Sequence, residues 1–228
     1  MGPFTRKIYK FNYLINKIFK EKFNKKLEYD WSTTSKRYEV INKIIFKKNY
    51  KTYLEIGCFE NENFNNILIE KKIGVDPVSG GTIKDTSDNF FKNNKENFDL
   101  IFIDGLHYYH QVKKDIINSL KFLNKDGVII LHDCVPLKIR DQMIPRSHGN
   151  WNGDTWKALV EARTLDYIDT YTILADHGLG VIFNRTNKNI LKLDIKNFKE
   201  LTFKEYYYNF KNFMNPVQES KMLDLFDK

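Results

Sequence analysis

Two cysteines, Cys58 and Cys134, are all that the 228 residues contain, and each follows a short apolar run. So small a number excludes a disulfide framework and makes a reducing, cytoplasmic setting the expectation. No apolar run approaches the roughly 20 residues that a membrane-spanning helix needs, and the N-terminus shows no signal-peptide apolar stretch. There is no internal repeat and no sign of a second folded unit. The Gly-x-Gly-x-x-Gly fingerprint is missing as well, which counts against a nicotinamide-dependent oxidoreductase.

What is present suits one α/β core with short extensions: 42% of residues are hydrophobic and 15% aromatic. The expected division is an N-terminal helical extension over 1–48, a core over 49–186 and a C-terminal helical extension over 187–228. The formal charge is +8, from 37 Lys+Arg against 29 Asp+Glu. Such a balance fits a nucleic-acid or adaptor partner, or simply a Lys- and Asn-rich composition, and the second reading is preferred. In residues 1–29, Ile8, Phe11, Leu14, Ile15, Ile18, Phe19 and Phe23 recur at helical spacing, opposite a basic face. That helix packs on the domain, makes a homodimer contact or touches a membrane surface.

Beyond it, Ser32 or Thr33 is the expected cap of a helix running through Phe46. Apolar runs at 53–56, 73–76, 99–103 and 128–131 then read as strands, with a weak short one near 82–84. Helices are expected at 64–70, 89–95, 109–123 and 155–165. Residues 171–174 and 179–183 flank Asp176-His177-Gly178 as an antiparallel hairpin. Residues 136–154 form a long polar excursion, 203–213 an aromatic-rich helix, and the tail beyond Pro216 is expected to pack loosely.

Strands alternating with helices and finished by a hairpin give a single Rossmann-like, doubly wound sheet. Ligands of such sheets sit beyond the carboxyl ends of the strands. Glu55-x-Gly57, Asp76, Asp104 and His132-Asp133 all fall at that edge, and their convergence is the functional signal.

At these positions the chain resembles class I S-adenosylmethionine-dependent methyltransferases, related to the catechol- and macrocin-type O-methyltransferases. The resemblance is carried by Glu-Ile-Gly at 55–57, Gly-Val-Asp-Pro at 74–77, Gly-Gly-Thr at 80–82 and Thr-Ser-Asp at 86–88. It continues with Ile-Asp-Gly-x-His-x-Tyr at 103–109, His-Asp-Cys-x-Pro at 132–136 and Trp-Asn-Gly-Asp-x-Trp-Lys at 151–157. It implies seven strands in the order 3-2-1-4-5-7-6, the last antiparallel. It also implies S-adenosyl-L-methionine as cofactor and a small-molecule hydroxyl as acceptor. By composition alone, Trp151, Asn152, Asp154 and Trp156 point to a saccharide, and the charge reading leaves nucleic acid not expected.

Residue by residue, the resemblance places the turn Gly57, Cys58, Phe59 and Asn61 along the methionine part of the cofactor. Glu55 orients that turn or accepts from the amino group. Asn61 stands where the family carries a second glycine, and Asn is the residue that best tolerates a left-handed backbone in its place. Asp76, followed by Pro77, accepts from the ribose hydroxyls. Ser87 and Asp88 reach the adenine or form a helix cap. Asp104, with Gly105, faces the reacting methyl. Asp104 and Asp133 match positions that hold a divalent metal in the catechol- and macrocin-type enzymes, Mg²⁺ being the cation an oxygen-rich site favours. Cys134 replaces a usual third ligand, leaving His132 or Asp154 as substitutes. His107 is the candidate general base, His110 a surface residue, and His132 a base, a ligand or a structural donor. Trp151 is expected at the acceptor pocket and Trp156 in the core.

Overall fold

Successive side chains of a strand point to opposite faces, and here both faces are apolar. Tyr53, Leu100, Phe102, Val128 and Ile130 build one core, and Leu54, Ile56, Ile101, Ile103, Ile129 and Leu131 build the other. A sheet buried on both sides follows. A computed structural model describes residues 11, 14, 27–146 and 149–227. Its strands are β1 (Thr52–Ile56), β2 (Lys71–Val75), β3 (Phe98–Ile103), β4 (Leu123–Leu131), β5 (Asp169–Leu174), β6 (Leu179–Phe183) and β7 (Pro216–Gln218). They lie in the order β2-β1-β3-β4-β6-β5-β7. β6 runs antiparallel to β4 and β5, and the other pairings are parallel. The expected weak third strand is a single bridge, Val75 to Ile83, beside β2. Counted as a strand, that bridge reproduces 3-2-1-4-5-7-6, with β7 as an addition.

The helices are α1 (Arg37–Lys48), α2 (Glu62–Asn66), α3 (Ser87–Asn93), α4 (Tyr109–Lys121), α5 (Thr155–Ala162) and α6 (Phe203–Met214). Val40, Ile41, Ile44 and Ile45 of α1 cover the first face, while α3 to α6 cover the second. Among the described residues no helix is long and apolar enough to cross a membrane. The amphipathic helix expected over 1–29 lies almost wholly outside the described residues.

Several local expectations change. The cap of α1 is Lys36, whose backbone N–H donates to the Glu39 carboxylate at 2.8 Å. Ser32 and Thr33 instead form a 3-10 turn capped by Asp30. α2 is one turn, because Asn-rich sequence propagates a helix poorly and Ile67 is already extended toward β2. β4 begins five residues early, through the polar run Asn124-Lys125-Asp126, with an irregular register against β3. The tail beyond Pro216 is packed, not loose. β7 pairs with β5, and the following 3-10 segment Glu219–Phe226 buries Met222, Leu225 and Phe226 against the α1 side.

Candidate active site

The antiparallel hairpin has a topological consequence. Because β6 runs against β4, the β5–β6 turn lands beside the carboxyl end of β4, where Cys134 and Val135 bond to Gly178 and His177. Asp176 therefore joins residues from the ends of β3 and β4. One oxygen of Asp104, Oδ1, faces His107 Nε2 at 3.2 Å and His132 Nδ1 at 3.1 Å. His107 Nδ1 lies 3.3 Å from the Trp151 carbonyl and 3.4 Å from Asp133 Oδ2. His132 Nε2 lies 3.5 Å from Asp176 Oδ1. All four ring nitrogens thus face oxygen, an arrangement that favours the protonated form of each ring.

Arg37, the first residue of α1, adds a fixed positive charge. Its backbone N–H donates to Asp176 at 2.6 Å, and its Nε lies 3.7 Å from Asp104 Oδ2. Burial alone would lower the pKa of both histidines, but the carboxylates of Asp104 and Asp133 more than offset it. His107 is raised, and His132 is raised well above its ordinary value. Burial would raise Asp104, yet the His132 charge and both histidine hydrogen bonds hold it well below the usual carboxylate range. Asp176, opposed by burial but paired with His132 and Arg37, falls to about 2. Asp133, Asp176 and His177 all adopt positive φ (57°, 40° and 62°), a strained backbone of the kind that gathers at functional sites.

The first turn is built differently. Gly57 has φ 89°, and a Cβ there would lie 2.4 Å from the Asp104 carbonyl oxygen, so only glycine fits against β3. Asn61 takes φ 64° and its Oδ1 accepts from Gly81 at 2.7 Å, which ties the turn to the loop after β2. Asp76 is committed to the same join. Its Oδ2 accepts from Cys58 and Phe59 at 3.0 Å each, and its Oδ1 from Val78 at 2.8 Å and Ser79 at 2.9 Å. Burial would raise its pKa, but these four N–H groups lower it. Beneath the turn, Glu55 accepts from Tyr53 at 2.6 Å and from Asn63 at 2.7 Å, and burial pushes it up to about 7.

The remaining predicted residues fall into place around these two regions. Ser87 and Asp88 start α3, but the cap is Thr86, and Gln111 donates to both. Asp88 is also paired with Lys114 at 2.6 Å. Cys58 is buried, Phe59 and Pro77 are exposed, and Gly105 is half-buried against Ile56. Trp151 stacks on His107 with ring centres 5.3 Å apart, Trp156 is fully buried and His110 is exposed. Asp154 is not available to the cluster, because it caps α4 by accepting from Tyr109 N–H at 2.6 Å. Cys134 turns its sulfur into the core toward the Leu131 carbonyl. Sequence reasoning missed Arg37 and Asp176. The hairpin pairing could have pointed to Asp176; no local signal marks Arg37.

Residues 49–134 match the family model described as a methyltransferase domain. That segment, running from just before β1 to just beyond β4, is similar to a methyltransferase domain. R132, an uncharacterized protein of Acanthamoeba polyphaga mimivirus, is 28% identical over 130 residues, which cover 44% of this chain and 59% of that relative. The match thus spans about three fifths of R132's own length. Two solved structures share the methyltransferase fold. One is a Staphylococcus aureus protein assigned as a caffeoyl-CoA O-methyltransferase, at TM-score 0.51 and 15% identity, covering 77% of this chain and 91% of that one. The other is cofactor-bound Rv0187 from MTB, at TM-score 0.52 and 12% identity, covering 78% and 90%.

Proposed function

We propose that this domain transfers the methyl group of S-adenosyl-L-methionine to a hydroxyl of a small molecule or saccharide. The observation that carries the reading is the position of Asp104. It touches the Gly57 turn through its backbone and both histidines through its carboxylate, so a cofactor on the turn has its reacting end at a proton-handling cluster. The turn also offers acceptors for the cofactor's amino group. Glu55 lies beneath it, and the carbonyl oxygen of the buried Asn63 side chain has no hydrogen-bond partner. Phe59, Val78 and Leu106 expose apolar side chains on the loops after β1, β2 and β3, which suits a flat purine.

Methyl transfer from a sulfonium is an in-line displacement, so the protein's tasks are alignment and removal of the acceptor's proton. Two routes to deprotonation suit the cluster. His107, more exposed than His132, acts as the base itself once it has lost its own proton. Alternatively, Asp104 and Asp133 hold a divalent cation such as Mg²⁺, which when bound acidifies the hydroxyl and fixes its position. The test is S-adenosylhomocysteine at 1 mM. For a Kd near 10 μM it stabilises by about 2.7 kcal/mol, a rise in Tm of roughly 5–10 °C. Absence of any shift overturns the reading. A salt-dependent affinity for RNA or DNA without cofactor binding would favour a basic nucleic-acid-binding or adaptor protein instead.

A further inference from the structure

Cys134 follows Asp133 at the acidic cluster but takes no part in it. The Cys134 sulfur is fully buried and lies 3.8 and 3.6 Å from the Leu131 and His132 carbonyl oxygens, so it faces the core. Asp154 is spent on α4, and His132 is held between Asp104 and Asp176. His107 meets the requirements of a ligand. The ligating atoms of Asp104, His107 and Asp133 lie within 4.8 Å of one another. His107 Nε2 and Asp104 Oδ1 are 3.2 Å apart, while two bonds of about 2.1 Å at a right angle separate their donors by about 3.0 Å.

The neighbours orient the same three groups. His107 Nδ1 faces the Trp151 carbonyl at 3.3 Å, which as a donor would leave Nε2 with its lone pair toward Asp104. The ring is stacked on Trp151, with planes 20° apart. Asn152 Nδ2 donates to Asp133 Oδ1 at 2.8 Å and leaves Oδ2 for the cluster. Arg37 is the fixed cation beside Asp104 and Asp176 and is shared with Glu62 at 3.5 Å, so the three carboxylates of the cluster outweigh it and a divalent ion would offset the excess negative charge.

We infer that His107 is the third metal ligand, and that the resulting two-carboxylate, one-imidazole site takes a first-row transition cation of the Mn²⁺ type in preference to Mg²⁺. Imidazole is a ligand of transition metals, whereas Mg²⁺ is served by oxygen. The inference deepens the second route to deprotonation proposed above. It is tested without turnover, by titrating the full chain with Mn²⁺ alone and reading free Mn²⁺ by electron paramagnetic resonance, then competing with Mg²⁺.

Mn²⁺ should bind at least about 10-fold more tightly than Mg²⁺. His107→Ala should weaken Mn²⁺ by about 10–100-fold, the scale on which metal-site substitutions act. His107→Asn, which returns an oxygen ligand, should bring the two affinities together, and Cys134→Ala should leave both unchanged. No Mn²⁺ binding at millimolar concentration, wild-type affinity in both His107 variants, or a Cys134→Ala loss equal to that of His107→Ala overturns the assignment. S-adenosylhomocysteine binding by calorimetry runs in parallel on each folded variant. Cofactor binding without metal binding removes this inference alone, and loss of cofactor binding removes the methyltransferase reading.

Discussion

Two regions share the carboxyl edge of the sheet and are held together in opposite ways. At the first turn, the polar groups of Asp76 and Asn61 are satisfied by backbone N–H donors of the neighbouring loops, so the region is closed on itself. At the ends of β3, β4 and β5, carboxylates meet imidazoles and a guanidinium, with His132 Nε2 and Arg37 Nε buried and lacking good hydrogen-bond geometry. Backbone-satisfied carboxylates stiffen loops, whereas side-chain charge clusters keep capacity for a ligand. The contrast assigns different work to the two halves. In this arrangement Asp76 has its four acceptor positions filled, so on the proposed reading a ribose would have to displace two loop N–H groups to reach it.

Removing Asp104 should break the charged half most severely. Asp104→Ala leaves two imidazoles and Arg37 without their shared carboxylate, and the expected loss is about 3–5 kcal/mol in denaturant unfolding, with methyl transfer abolished. Retained stability would mean that Asp133 and Asp176 suffice. The second prediction concerns Glu55, whose folded pKa of about 7 lies above an unfolded value near 4.3. Its contribution is present below the unfolded value and is lost as pH rises through the folded one. Glu55→Gln should therefore flatten the fall in stability between pH 4.5 and 7 and gain up to about 3 kcal/mol above pH 7. It should also weaken S-adenosylhomocysteine, and a variant that keeps the pH slope refutes the account. The smallest effect is expected in the closed half. Asp76→Asn deprives the turn or the loop of acceptors and should cost about 1–3 kcal/mol, with weaker cofactor binding. Unchanged unfolding would show that the join does not stiffen this edge.

Legibility differs along the same line. β1, β3, β6 and α4 stood out because apolar residues at one period fill them from end to end. β4 and the tail did not, since Asn124-Lys125-Asp126 and the short spacing of Met222, Leu225 and Phe226 lack a repeating pattern long enough to read. Asp104, His107, His132 and Asp133 were legible because each closely follows an apolar strand, so strand ends brought them to one edge. Arg37 and Asp176 were not, because a helix start and a hairpin turn reach that edge only through pairing distant in sequence.

The amino-acid sequence alone determined the two-faced sheet, the glycine turn and the set of acids at its carboxyl edge, because side-chain periodicity and strand ends are local properties. Only the tertiary structure decided how those acids are used. It gave Asp76 to the backbone, turned Cys134 inward and spent Asp154 on a helix cap. It also set His107 between two carboxylates, since hydrogen-bond partners are chosen by proximity across the fold and not along the chain.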